Sequence, residues 1–240
     1  MLEGIYTSAA GMLPRTNQLE VIANNLANVS TAGFKRDRVT FRQTLDAELA
    51  VAAETGETQG AQEVVTDFSQ GPLEKTDRPL DLAIDGEGFF VVQTAAGERY
   101  TRAGSFRLDA AGRIVTPDGY PVLGERGPIV LHEGSVEVRS DGEIWQKGVA
   151  VGRLRVVNFP NLRALAKEGH SLFRLRDPNV RPVALENVRI KQGYLEGSNV
   201  NALEEMVEMM VVVRNFEAEQ KAIQTQDETL SRAINELPKL

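Results

Sequence analysis

Two apolar stripes, one at each extremity of the chain, limit its fold more than anything between them. Near the N-terminus, Leu2, Ile5, Ala9, Met12, Thr16, Leu19, Ala23 and Leu26 alternate spacings of three and four, and only Thr16 is polar. Near the C-terminus, Met206, Met209, Val213, Phe216, Gln220, Ile223, Asp227, Leu230, Ile234 and Leu237 do the same, with Gln220 and Asp227 polar. This is the heptad spacing of a helix-pairing seam. An ordinary amphipathic helix lying on a globular core shares much of the pattern. Length and place favour the seam. The C-terminal stripe runs about 38 residues, roughly 57 Å of helix, longer than a domain of this size is wide. Chain ends, moreover, are where fraying is the norm.

Pro14 interrupts the first stripe. It removes a backbone donor and crowds the carbonyl of residue 10, so a kink or break is expected near 11–14. The first helix is then firm only from about 14 to 27. At the second stripe, Gln220 and Asp227 cost stability, and polar seam residues commonly set register or partner choice. Met206, Met209 and Met210 read first as core packing; flexible methionines also suit a surface that meets unlike neighbours.

The middle of the chain has a different rhythm. From about 62 to 196, short apolar runs recur every eight to twelve residues between turn dipeptides. Strands are expected at 63–68, 80–84, 89–94, 99–102, 105–108, 113–116, 121–123, 129–131, 136–139, 143–146 and 152–159, with a short helical turn at 162–167. Gly97, Gly112, Gly119 and Gly142 occupy the turns, where glycine supplies positive φ. The expected fold is α plus mainly β: N- and C-terminal helices forming a coiled-coil-like pair, with an inserted antiparallel β domain of sandwich or barrel type. The divisions are 1–44 for the first helix and its following segment, 45–61 for a linker, 62–196 for the β domain and 197–240 for the long C-terminal helix. Two antiparallel stripes cannot cover each other fully, so the helices read as assembly elements.

Composition closes several functional classes. Among 240 residues there is no cysteine and there are two histidines, His132 and His170. That leaves no disulfide, no thiolate metal site and no cysteine nucleophile. A net charge of −7 lacks the diffuse positive field of non-specific nucleic-acid binding. No apolar run reaches the length of a membrane span. Glu3 stands where a secretory signal would carry basic residues, so no cleaved signal is expected.

Local motifs have ordinary explanations. Asn24, Asn25 and Asn28 suit a helix end, and the sequon at Asn28 is a chance match. Gly33 supplies positive φ to a turn, and Phe34 anchors the returning chain. Lys35, Arg36 and Arg38, with Asp37 among them, read as a solvated charged face. Asp85, Gly86, Glu87 and Gly88 match neither a nucleotide nor a calcium loop and read as a tight turn. Asp77, Asp81 and Asp85 share no helix face because Pro79 lies between them. No pair of carboxylates stands out for acid–base work.

Four blocks carry a resemblance. The first is Asn24, Asn25, Leu26, Ala27 and Asn28, continuing to Gly33, Phe34 and Lys35. The second runs from Leu82 to Val92, and the third covers 100–106 and 115–120. The fourth runs from Gln192 to Asn201, with Gly193, Leu195, Glu196, Ser198, Asn199, Val200 and Asn201, followed by Glu205, Met206 and Val207 and by Arg214, Asn215, Phe216 and Glu217. In this order they resemble the bacterial flagellar axial proteins of the rod and hook. Pro14 departs from that family's first helix. A chain of this length with one central domain resembles the FlgF type of rod protein, then the FlgG-type distal rod or another axial subunit. The resemblance implies a non-enzymatic structural subunit of the basal-body rod, made in the cytoplasm and exported by the flagellar type III apparatus. Its implied partners are further copies of itself and other rod proteins. No cofactor, metal, nucleic acid or small-molecule substrate is implied, nor any lipid-spanning segment. Two other readings are a carboxylate-dependent hydrolase on a β scaffold, for which no nucleophile motif or cofactor loop exists, and a soluble binding module that dimerises through its helices.

Overall fold

The computed structural model describes residues 2–42, 61–132, 134–177, 180–185 and 188–236. The side chains of Leu2, Ile5, Ala9, Met12, Asp227, Leu230 and Ile234 lie outside the described residues, as do Leu237 and nearly all of the expected linker at 45–61. The chain divides into a terminal unit (1–27, 37–65 and 201–240) and a central unit (28–36 and 66–200).

In the terminal unit, helix α1 (Leu2–Ala27) runs through Pro14 without the expected break. One lost backbone bond is a local cost of about 3 kcal/mol, and the turns on either side keep theirs. Helix α2 (Ala202–Glu236) begins under a cap: the Leu203 amide donates to Asn201 Oδ1 at 3.1 Å. Glu204 and Glu205 in its first turn complement the helix dipole. Strands Asp37–Arg42 and Ala61–Thr66 form a two-stranded sheet.

Side-chain bonds cross between the helices. Arg15 meets Glu219 at 2.6 Å, Gln18 meets Glu208 at 3.1 Å and Asn25 meets Glu205 at 3.2 Å. The partner number falls as the α1 number rises, so the helices lie antiparallel. The buried row differs from the heptad stripe. Ile22, Asn25, Glu205 and Val212 are buried, with Leu19, Leu26, Met209, Phe216 and Ile223 partly covered. Ala23, Met206, Val213 and Gln220 face solvent. A stripe chosen by apolarity passes over Asn25 and Glu205, whose hydrogen bond draws both inside.

The central unit is antiparallel throughout its strand pairs. Its main sheet has six strands in the order Leu165–Gly169, Leu172–Leu175, Gly97–Thr101, Phe89–Thr94, Val156–Asn158, Val183–Ala184. Strand Phe89–Thr94 explains its own sequence. Phe89 and Val91 point into one core with Tyr100, Phe159 and Phe173. Phe90 and Val92 point into the other with Phe106, Ile114 and Ile144. With both faces covered, the strand reads as an unbroken apolar run instead of an alternation. Edge-to-face rings at 5.7–5.9 Å join Phe89 to Phe68, Phe159 and Phe173.

Elsewhere the expected strands are shortened or split. The run at 152–159 is two strands, Val149–Arg153 and Val156–Asn158. The helical turn expected at 162–167 ends at Ala164, and Leu165 starts a strand. Two late strands return to early ones: Ile190–Gln192 pairs with Leu82–Ile84, and Tyr194–Glu196 with Leu73–Lys75.

Phe90 is wholly buried in the larger core. Phe90→Ala is expected to lower the unfolding free energy of the full chain by about 3–5 kcal/mol, read from the urea midpoint.

Candidate assembly site

The pairing of Tyr194–Glu196 with Leu73–Lys75 places Glu196 inside the central unit. Its carboxylate and the Lys35 ammonium form an ion pair in which both side chains are fully buried. Lys35 Nζ also donates to the Ser69 carbonyl at 2.6 Å. Glu196 accepts further bonds from the Gly71 amide at 3.1 Å and from Arg102 at 3.3 Å. Arg102 in turn donates to the Gly86 carbonyl at 2.7 Å and lies 5.1 Å from the centre of the Phe89 ring. Two buried cations thus share one carboxylate, and each also donates to one backbone carbonyl, while among the described residues the buried Nε of Arg102 has no hydrogen-bond partner. Burial pulls the Lys35 ammonium below its ordinary value of 10.5, and Glu196 opposes that shift. Burial likewise lowers Arg102, again opposed by Glu196.

Backbone contacts tighten the same place. The Gly33 amide donates to the Glu196 carbonyl at 2.7 Å. Gly33 has φ +68, and a Cβ there would fall 2.2 Å from the Ala103 amide nitrogen. Glycine is thus required both by conformation and by close approach. Asn199 accepts from the Arg36 amide at 2.7 Å and donates to the carbonyls of Asp67 (2.9 Å) and Ser69 (3.1 Å). Phe34 is buried under the Lys167 ammonium, 4.0 Å above its ring.

In the terminal unit, Asn25 does comparable work. Its amide donates to the Asp37 carbonyl at 2.8 Å, and its Oδ1 accepts from the Asp37 amide at 2.9 Å. The same amide group reaches Glu205 Oε2. Asn25 therefore ties strand Asp37–Arg42 and α2 to α1 from within the helix; it is no end cap. Asn24 and Ala27 are exposed, and Asn28 begins the turn after α1, where its Oδ1 accepts from Thr31 Oγ1 at 3.1 Å.

Over residues 203–213 the opposite face of α2 is apolar and exposed, and charged side chains follow on it from Arg214 onward. Leu203, Met206, Val207, Met210, Val211 and Val213 are 71, 48, 49, 53, 52 and 37% exposed. At 100° per residue they span the side of the helix away from Glu205 and Val212. Two of the three methionines first read as core thus lie outside it. Arg214 and Glu217 are exposed on the same helix.

Several expectations need correction. Lys35 does not belong to a solvated face: only Arg38 of the basic cluster is exposed, and Arg36 is half-buried. A carboxylate distant in sequence compensates Lys35, which no local pattern reveals. Residues 85–88 form a turn, and its Gly86 supplies the carbonyl that holds Arg102. Gly193 (φ +75), Ser198 and Val200 are buried along the path to α2, with Leu195 half-buried and Asn201 at the cap. In the central unit Ser69 carries no local motif, whereas Arg102 falls within the third block; in the terminal unit Asp37 reads only as part of the charged cluster, and Glu205 falls within the fourth block. Among the described residues, no group of three or more acidic or histidine side chains is placed to hold a metal ion. No described helix is long and apolar enough to cross a membrane.

Three family models match in order along the chain: "Flagella basal body rod protein" over residues 5–35, "Flagellar hook protein FlgE/F/G D1 domain" over 83–146, and "Flagellar basal body rod FlgEFG protein C-terminal" over 191–236. The chain is 36% identical over 265 residues to the basal-body rod protein FlgG of Bacillus subtilis, covering 98% of this chain and 99% of the relative. It is 34% identical over 252 residues to FlgF of Caulobacter vibrioides, covering both chains completely. With FlgF of Salmonella typhimurium it shares 36% over 251 residues, 97% of each chain.

Two outcomes follow from the buried charges. Glu196→Gln leaves Lys35 and Arg102 without their anion and should cost about 3–5 kcal/mol in urea denaturation at neutral pH. A second effect concerns alkaline pH. Between the lowered folded value of Lys35 and the ordinary 10.5, the unfolded chain holds the extra proton. Through this residue, then, stability rises with pH across that window. Relative to Lys35→Met, the native chain should therefore gain stability between neutral pH and about 10.5 in denaturation curves taken at stepped pH.

Proposed function

This chain belongs to the flagellar basal-body rod protein family, and from that premise we propose that it polymerises through α1 and α2 into the axial shaft that carries torque. The family is structural, not enzymatic, and the basal-body rod is its place. The observation that carries the polymerisation reading is the bare apolar face of α2. Six large side chains left about half exposed on one helix face are unusual for a chain that works alone. Covering each would contribute roughly 1 kcal/mol before ordering costs.

In this reading, residues 1–44 and 197–240 are the assembly elements, with a coiled-coil-like pairing, and 62–196 is the outward body. Neighbours are further copies and other rod proteins, in head-to-tail contacts that propagate instead of closing. Export uses the flagellar type III apparatus without a cleaved signal. The FlgF-type position in the rod is the first reading, on the likeness of residues 1–12. The full-length match to a FlgG protein favours the distal rod as the second. A cryo-electron-microscopy map of the intact basal body, with the chain traced in it, decides between them.

The mutational test uses exposed positions. Val207→Asp and Met210→Asp should each leave the purified protein's unfolding free energy within about 0.5 kcal/mol of the parent, since neither side chain is buried in the subunit. Each should abolish swimming in soft agar when it replaces the chromosomal copy. Normal swimming by both variants would remove the α2 face from the assembly.

A further inference from the structure

The central unit also carries a smaller sheet of three strands, in the order Val136–Val138, Glu143–Gln146, Val149–Arg153. Its two edges differ. At the Val136–Val138 edge the side chain of Gln192 does the work of a fourth strand. Its Oε1 accepts from the Val138 amide at 3.1 Å, and its Nε2 donates to the Val136 carbonyl at 2.9 Å. The other edge has no such cover. Among the described residues, no backbone bond from outside the sheet reaches Val149–Gly152; the first falls on the Arg153 carbonyl, from the Glu125 amide at 3.1 Å. Val149 and Val151 are 66 and 39% exposed, and the stretch from Gly148 to Gly152 carries no charge. An uncovered apolar edge is a template for a further strand. Beside it lies a cleft of about 470 Å³ lined by Glu125, Val130, Glu143, Val151 and their neighbours.

We propose that this edge pairs with the same edge of a second copy, antiparallel and two-fold about Ala150. Strand parity selects Ala150. Lys147 and Gly148 have φ 52 and 79, the positive values of a two-residue hairpin turn. Gln146 and Val149 close that turn, so the backbone groups of the next pair, Trp145 and Ala150, point away from each other. The Ala150 N–H and C=O therefore face the open edge, where two copies exchange them. Val149 of each copy then meets Val151 of the other, and the hairpin tip of each enters the cleft of the other. Charge fits this register. Lys147, exposed at the tip, forms no ion pair among the described residues and arrives opposite Arg153 of the second copy. There Asp141, Glu143 and Glu125 stand 3.0, 3.3 and 3.9 Å from the one guanidinium, which leaves carboxylate in excess for the incoming ammonium. The bulge at Val151 confines the pairing to this short stretch, so the contact is of the weak, reversible class. A two-fold contact closes after two copies. It is separate from the α2 face and does not rest on the polymerisation reading.

The chain has no cysteine, so single thiols report the register. On the two-fold, the Ala150 residues lie directly opposite, with Cα atoms about 5.5 Å apart and within disulfide reach. The two Val149 residues are out of step and beyond that reach. With diamide as oxidant, full-length Ala150→Cys should form the disulfide dimer at least about ten-fold faster than Val149→Cys. In the Ala150→Cys background, Lys147→Asp should slow the cross-link about ten-fold, because the two-fold repeats the lost ion pair. Aspartate tolerates the left-handed φ of this position. Adding Glu125→Lys should restore the rate. Val207→Asp on the α2 face should leave it unchanged, which keeps this test apart from that of the shaft. The urea midpoint of each variant identifies the folded proteins to compare; if Lys147→Asp does not fold, Lys147→Gln takes its place, with a loss of about five-fold. Equal rates for Ala150→Cys and Val149→Cys, a rate insensitive to position 147, no recovery with Glu125→Lys, or a rate that falls with Val207→Asp overturns the proposal.

Discussion

The buried pair of Lys35 and Glu196 is the contact on which the rest of the central unit depends. Separating charge from water costs several kcal/mol per ion, and only close, fully bonded geometry offsets it. The geometry here draws on segments that lie far apart in the chain. Lys35 follows the first helix, Ser69 and Gly71 precede the sheet, Arg102 leaves the central hairpin, and Glu196 enters from the far end. No subset satisfies the charges. Such a cluster adds little to stability compared with an apolar core. What it supplies is discrimination, since any register that misplaces one member strands a charge in the interior.

This division of labour explains what was legible in the sequence. The two helices, the β-rich middle and its turns were visible because periodicity and glycine placement are local. The double-faced strand Phe89–Thr94 was visible as an apolar run, although periodicity could not say that both faces are buried. The strands at Leu165–Gly169 and Leu172–Leu175 were missed. They carry Lys167, Glu168 and Arg174, and Glu168 stays near the surface paired with Arg99. A half-exposed, charge-laced strand has no strong alternation to read. Lys35 was misplaced for a related reason: a basic residue among basic residues reads as surface, and its partner lies 161 positions away.

The helix pair was legible in outline and displaced in detail. Counting apolar residues put Ala23 and Met206 on the seam, where the structure puts Asn25 and Glu205. The counting failed because buried polar residues mark the contact between the helices. Asn25 can be buried since its amide exchanges two bonds with the Asp37 backbone and a third with Glu205. Hydrogen bonds of this kind are directional and fix one arrangement, which a stripe of leucine and methionine does not.

The arrangement inverts the usual order of a helix on a globular core. Polar bonds sit on the side where α2 meets α1, and among the described residues six large apolar side chains of α2 sit exposed elsewhere on the helix. The inversion makes physical sense for a subunit with unlike neighbours. Contacts inside the subunit never change, so directional bonds can specify them. In the proposed assembly, contacts outside it would differ from one neighbour to the next, and because apolar burial is non-directional one face could serve several partners. Met206 and Met210, unbranched and with adaptable rotamers, extend that tolerance. Under the proposed assembly, specificity is concentrated within the subunit, and the exposed α2 face is what is left for its neighbours.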